Sequence, residues 1–128
     1  MREKERRIRL GDLQLRIMRV LWDSDAATVS EVQRLLGRPP LAYTTVATML
    51  RKLEERGLVG HLEEGRKFLY RATVSMNEVT RSMAGDLVDR LFDGSLADAV
   101  SHLLESRDIS REELDRLEQM IQERKGNP

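Results

Sequence analysis

The strongest constraint on the fold is a change of period at Gly57. Before it, apolar residues recur every three or four positions in short runs, and after it they alternate. The first run predicts a helix over about Leu13–Asp23, with Leu13, Ile17, Val20 and Leu21 on one side, Trp22 near its end and Asp12 as N-cap. The second predicts a helix opened by Thr28 or Ser30 and running to Leu36, with Val29, Val32, Leu35 and Leu36 as its apolar positions. Gly37, Pro39 and Pro40 stop it. A third run follows at once in AYTTVATMLRKLEERG, where Val46, Met49, Leu50 and Leu53 share one face. Beyond Gly57, Phe68 and Tyr70 alternate with Lys67, Leu69 and Arg71, and Glu64-Gly65 supplies a turn, so a β-hairpin is expected with Arg66 and Lys67 at its tip. Three short helices followed by a hairpin make a winged helix-turn-helix.

The third helix carries an unusual polar face. Thr44, Thr45 and Thr48 crowd its first turns beside Tyr43, although threonine is a poor helix former and solvated faces usually carry Glu, Lys or Gln. With Arg51 and Lys52 they lie at i, i+3, i+4 and i+7 spacing, opposite Val46, Leu50 and Leu53. Short hydroxyl side chains let a helix approach DNA closely, donate to phosphate or base edges, and set a methyl against the thymine methyl. Tyr43, Thr44, Thr45, Thr48, Arg51, Lys52, Arg66 and Lys67 are therefore the candidate DNA-binding residues.

The charge distribution agrees. The chain of 128 residues has no net charge, yet Met1–Arg71 holds 15 basic against 10 acidic residues and Ala72–Pro128 holds 7 against 12. A basic half that meets a polyanion and an acidic half that does not are expected, divided near Arg71: residues 1–72 as a DNA-binding domain and 73–128 as a second domain. A fragment ending near Arg71 should then fold alone as a monomer. There is no cysteine, which excludes disulfides and thiolate metal sites. The basic start, MREKERRIRL, has no apolar run behind it, and no segment approaches the roughly 18 uncharged residues of a membrane span. A soluble, cytoplasmic protein without membrane insertion is expected.

In the second half, Ser75 and Glu78 have capping-box spacing, and Met76, Val79, Met83, Leu87 and Leu91 form a helical stripe. Ser95 with Asp98 opens a helix through Leu96, Val100, Leu103 and Leu104, and Ser110 with Glu113 opens another carrying Leu114, Leu117 and Ile121. So small a helical set buries too little surface by itself, which points to pairing with a second copy through Met83, Leu87, Leu91, Val100, Leu103 and Leu117. A self-contained three-helix fold is the alternative. The fold class expected is mainly α with a small β-hairpin wing, an N-terminal winged helix-turn-helix followed by a C-terminal helical dimerisation domain.

No catalytic site is legible. The chain lacks a Gly-rich phosphate loop, a cysteine nucleophile and a serine in a nucleophile context, so an enzyme is not expected. His61 and His102 lie in different halves without a carboxylate or second histidine at ligand spacing, so neither a metal nor a cofactor is expected, and His61 is read as packing in the first wing strand. Paired acids such as Glu54-Glu55 read as solvated helix face.

LQLRIMRVLW, ATVSEVQRLL, AYTTVATMLRKLEERGLV and HLEEGRKFLYRA together resemble the penicillinase and methicillin-resistance repressors, the BlaI/MecI/CopY group of bacterial winged-helix repressors. The resemblance is close over about Leu10–Ala72 and looser beyond, where it rests on element order and on DISREELDRLEQMI. It implies a homodimer that represses transcription from a dyad-symmetric, double-stranded operator until a signal, such as a membrane sensor-protease pathway, removes it. Copper-responsive members carry a C-terminal cysteine cluster, which this chain lacks. β-Lactam-responsive members are cleaved at an Asn-Phe bond, and the similar position here, the candidate cleavage site, is His102-Leu103. A winged-helix protein-interaction module and a small-molecule-responsive repressor without proteolytic induction are the other functional readings.

Overall fold

The computed structural model describes residues 7–126. Its elements are α1 (Asp12–Ser24), α2 (Val29–Leu35), α3 (Tyr43–Glu55), β1 (Val59–Glu64), β2 (Lys67–Ala72), α4 (Met76–Phe92), α5 (Leu96–Ser106) and α6 (Arg111–Gly126). The basic start at residues 1–6 lies outside the described residues. The chain divides into two compact units, Met1–Gly85 and Asp86–Pro128.

Local chemistry sets the element ends in the first unit. Gly11, rather than Asp12, is the N-cap of α1, and the Gln14 side chain accepts from its N–H at 3.0 Å. Thr28 caps α2 reciprocally: its hydroxyl accepts from Glu31 N–H at 3.2 Å and the Glu31 carboxylate accepts from Thr28 N–H at 2.8 Å. Those hydrogen bonds hold the Glu31 carboxyl below the usual glutamate value. At the end of α3, Gly57 N–H donates to Glu54 O and Leu58 N–H to Leu53 O, with Gly57 at φ +78°. This is a Schellman closure, which requires the left-handed backbone that glycine adopts without strain.

The wing is antiparallel, registered from Val59 opposite Ala72 to Glu64 opposite Lys67. Its two-residue loop is therefore Gly65-Arg66, one position later than the Glu64-Gly65 turn expected, because Glu64 still pairs with Lys67 and the positive φ falls on Gly65. Ala27 and Tyr70 exchange backbone hydrogen bonds of 2.9 and 2.8 Å, tying β2 to the segment between α1 and α2. The core packs Ile17, Met18 and Leu21 of α1 with Val32 of α2, Val46, Leu50 and Leu53 of α3, and Tyr70 of the wing. Leu35 differs from its expected apolar role: it is 48% exposed at the end of α2, and Leu36 takes the buried place.

The first unit passes the division expected at residue 72. Trp22 Nε1 donates to Val74 O at 2.9 Å, Ile8 N–H donates to Ser82 Oγ at 2.8 Å, and Val79 is only 1% exposed. Ser75 and Glu78 cap α4 reciprocally at 3.0 Å each. Met83, expected on a dimer surface, is instead half-buried against this core, because the first turns of α4 pack there.

In the second unit the expected caps are present: Ser95 Oγ accepts from Asp98 N–H at 3.0 Å and Ser110 Oγ from Glu113 N–H at 3.1 Å. Its apolar surface is scarcely covered. Ala99 is its single buried hydrophobic residue among those described, while Leu91 is 71% and Leu103 47% exposed.

Candidate nucleic-acid interface

Everything that presents α3 belongs to the first unit. Arg16 Nη2 donates to Leu36 O at 2.8 Å, which holds the end of α2, and Gln33 Nε2 donates to Leu41 O at 2.7 Å, which holds the loop leading into α3. Both ties went unread in the sequence, since nothing in the spacing of a lone Arg or Gln distinguishes a loop fastener from a solvated side chain. With α3 so placed, its buried stripe of Val46, Leu50 and Leu53 sets the opposite face outward.

That outward face carries most of the expected residues. Tyr43, Thr44, Thr45, Arg51 and Lys52 are exposed. Thr48, expected exposed, is half-buried, and its hydroxyl lies 3.4 Å from Arg51 Nη2, a long contact that couples the two side chains one turn apart. Ala42 is the N-cap of α3 and has no side chain to accept from the first turn, which also holds no acidic residue. The unpaired N–H groups and the positive end of the helix dipole are thus open to an anion. Thr28 and Ser75, by contrast, occupy the corresponding N–H groups of α2 and α4.

Arg66 stands in the wing loop and Lys67 begins β2, both exposed. Behind them the wing bears on α3 through an aromatic cluster that includes the missed contact of this surface. His61 Nδ1 lies 2.8 Å from both carboxylate oxygens of Glu54, and its ring stacks on Phe68 with centroids 4.3 Å apart. Glu54 is therefore not solvated helix face as its pairing with Glu55 suggested: a carboxylate seven residues from the histidine reaches it across the α3–β1 corner. Tyr70, 5.4 Å from His61 by ring centroids, is buried, and desolvation followed by the Glu54 charge pushes its phenol up.

Leu87, Leu91, Val100 and Leu103 are exposed and Leu117 is half-buried; Val100, Leu104, Leu114, Leu117 and Ile121 line a groove between α5 and α6. His102 and Leu103 are exposed on α5, where His102 lies against Phe92 at 5.9 Å between ring centroids. Among the described residues no cluster of three or more His, Asp or Glu could hold a metal ion, and no helix is long and apolar enough to cross a membrane.

A family model described as penicillinase repressor matches residues 10–123. The sequence is 28% identical over 118 residues to the penicillinase repressor of Bacillus licheniformis, covering 91% of this chain and 92% of that protein. It is 32% identical over 118 residues to the transcriptional regulator BlaI of Mycobacterium tuberculosis, covering 90% of this chain and 84% of that protein. Among solved structures, the DNA-binding domain of the repressor BlaI superimposes with a TM-score of 0.51 at 26% identity, covering 59% of this chain and 93% of that one.

Proposed function

The chain belongs to the penicillinase repressor family, and from that premise we propose that it is a sequence-specific DNA-binding repressor acting as a homodimer on a dyad-symmetric operator. The observation that carries the reading is the outward face of α3: threonine hydroxyls, Arg51 and Lys52 beside an uncapped, acid-free helix start, with Arg66 and Lys67 on the adjoining wing. Threonines and Arg51 read base edges in the major groove, while Tyr43, Lys52 and the wing residues hold phosphates. The exposed leucines of α5 and α6 pair two copies, which links two half-sites in one particle. No catalytic role is assigned, and an operator target implies a cytoplasmic location.

Mobility shifts across a salt series test this. Binding through several phosphates falls steeply and linearly on a log–log plot, with a slope of about −0.9 per contact. Absence of any duplex binding at low salt would leave a winged-helix protein-interaction module as the reading.

A further inference from the structure

The wing's outer half is weakly anchored. The Ala27–Tyr70 bridge fixes its base, but the outer rungs, Leu62 opposite Leu69, Glu63 opposite Phe68 and Glu64 opposite Lys67, are mostly exposed, and a two-stranded ribbon is marginal by itself. A polar contact crosses from this ribbon to the recognition helix. His61, opposite Tyr70 in the register, brings Nδ1 to 2.8 Å from both oxygens of Glu54 and lays its ring on Phe68. A carboxylate only accepts, so Nδ1 carries the proton and donates.

We propose that Glu54 and His61 are positioning residues that set the angle of the wing on α3 and so decide whether Arg66 and Lys67 reach phosphate while the threonine face is seated in the groove. The inference rests on the DNA-binding reading above. The physical case is one of order: Glu54 stands on the last turns of the helix that reads bases, and Phe68 stands next to Lys67 on the strand that leaves the wing tip. Through His61 the two surfaces become one rigid body, and the wing's cations meet the backbone without the entropic cost of ordering a free ribbon. Without it the hairpin keeps its register, since the ladder is intact, but its tip samples many directions. Neither residue needs to touch DNA.

The test uses the full chain and a mixed-sequence duplex enriched from a random pool by the wild-type protein. Affinity is measured by fluorescence anisotropy across salt for wild type, His61→Ala, Glu54→Ala, Glu54→Gln and Arg66→Ala, with thermal melts of each. His61→Ala and Glu54→Ala should make the log–log salt slope shallower by about 0.9–1.8, the change expected when one or two phosphates are no longer neutralised. Glu54→Gln, whose amide oxygen still accepts from Nδ1, should keep the wild-type slope. Adding Arg66→Ala to His61→Ala should cost less than Arg66→Ala alone. Unchanged slopes in His61→Ala and Glu54→Ala, with only a lowered melting temperature, would overturn the inference and leave DNA binding standing. Failure of the wild type to bind any duplex would overturn both.

Discussion

Cutting the chain at two points separates the charge boundary from the packing boundary. A fragment ending at Arg71 keeps α1 to α3 and nearly all of the wing, yet removes Val74 and Val79, 5% and 1% exposed, together with Met83. Full burial of a valine is worth about 1.5–3 kcal/mol, and loss of the Val74 carbonyl that accepts from Trp22 Nε1 adds about 0.5–1.5 kcal/mol. The deficit is roughly 3.5–7.5 kcal/mol, an upper figure because an unfolded chain already hides some apolar surface. A unit of this size holds on the order of 4–13 kcal/mol in total. The shorter fragment therefore lies at the edge of stability, contrary to the expectation that it folds alone, whereas a fragment ending at Gly85 retains the described core of its unit. Urea unfolding followed by the fluorescence of Trp22, the one tryptophan, compares them directly. Free energies that agree within about 1 kcal/mol would refute the assignment of the first turns of α4 to this unit.

Four further outcomes are expected. Thr45→Ala should weaken operator binding by about 1–3 kcal/mol at fixed salt without changing the melt, as removal of a base contact does; equal affinity would take Thr45 out of base readout. Leu103→Glu on α5 should convert the dimer to monomer by sedimentation velocity, because it places a charge on an exposed apolar face, and an unchanged dimer would move the interface elsewhere. The Glu31 carboxyl is depressed in the folded state from its ordinary 4.5, so its contribution to stability is complete above that value and disappears as pH falls through the lower folded value. Thr28→Ala removes only the hydroxyl's share and should leave part of that acid dependence, because the backbone N–H of residue 28 still donates to the Glu31 carboxylate, whereas Glu31→Gln should abolish it, measured by urea midpoints between neutral and acid pH. If induction is by cutting, mass spectrometry after exposure of cells to a β-lactam should find an N-terminal fragment ending near His102, whereas intact protein with derepression calls for release by a ligand or another protein.

Elements whose signal is local were legible. The stripe of Val46, Leu50 and Leu53, the Ser75, Ser95 and Ser110 caps and the alternation through Tyr70 each depend on neighbours a few positions away, and each is present. What escaped depends on separation. Glu54 meets His61 only because the Gly57 closure folds β1 back on α3, and Met83 joins the first core only because Val74 leads α4 across Trp22. A stripe such as Val79, Met83, Leu87 and Leu91 states that something covers it without stating what: its first half is covered by the chain itself, and Leu87 and Leu91 remain exposed. The site was legible as a face of α3, since helical spacing alone fixes which side chains oppose the core, but the partial burial of Thr48 beside Arg51 was not.

The central claim is discrimination among DNA sequences by the α3 face. Duplexes retained by the purified chain from a random pool are sequenced, and the affinity of the enriched site is measured against a scrambled duplex of equal length at physiological salt. The expected result is a two-fold symmetric motif, with half-sites one helical turn or a multiple apart, bound at least about 10³-fold more tightly than the scrambled duplex. No enriched motif, or equal affinity for both duplexes, would contradict it.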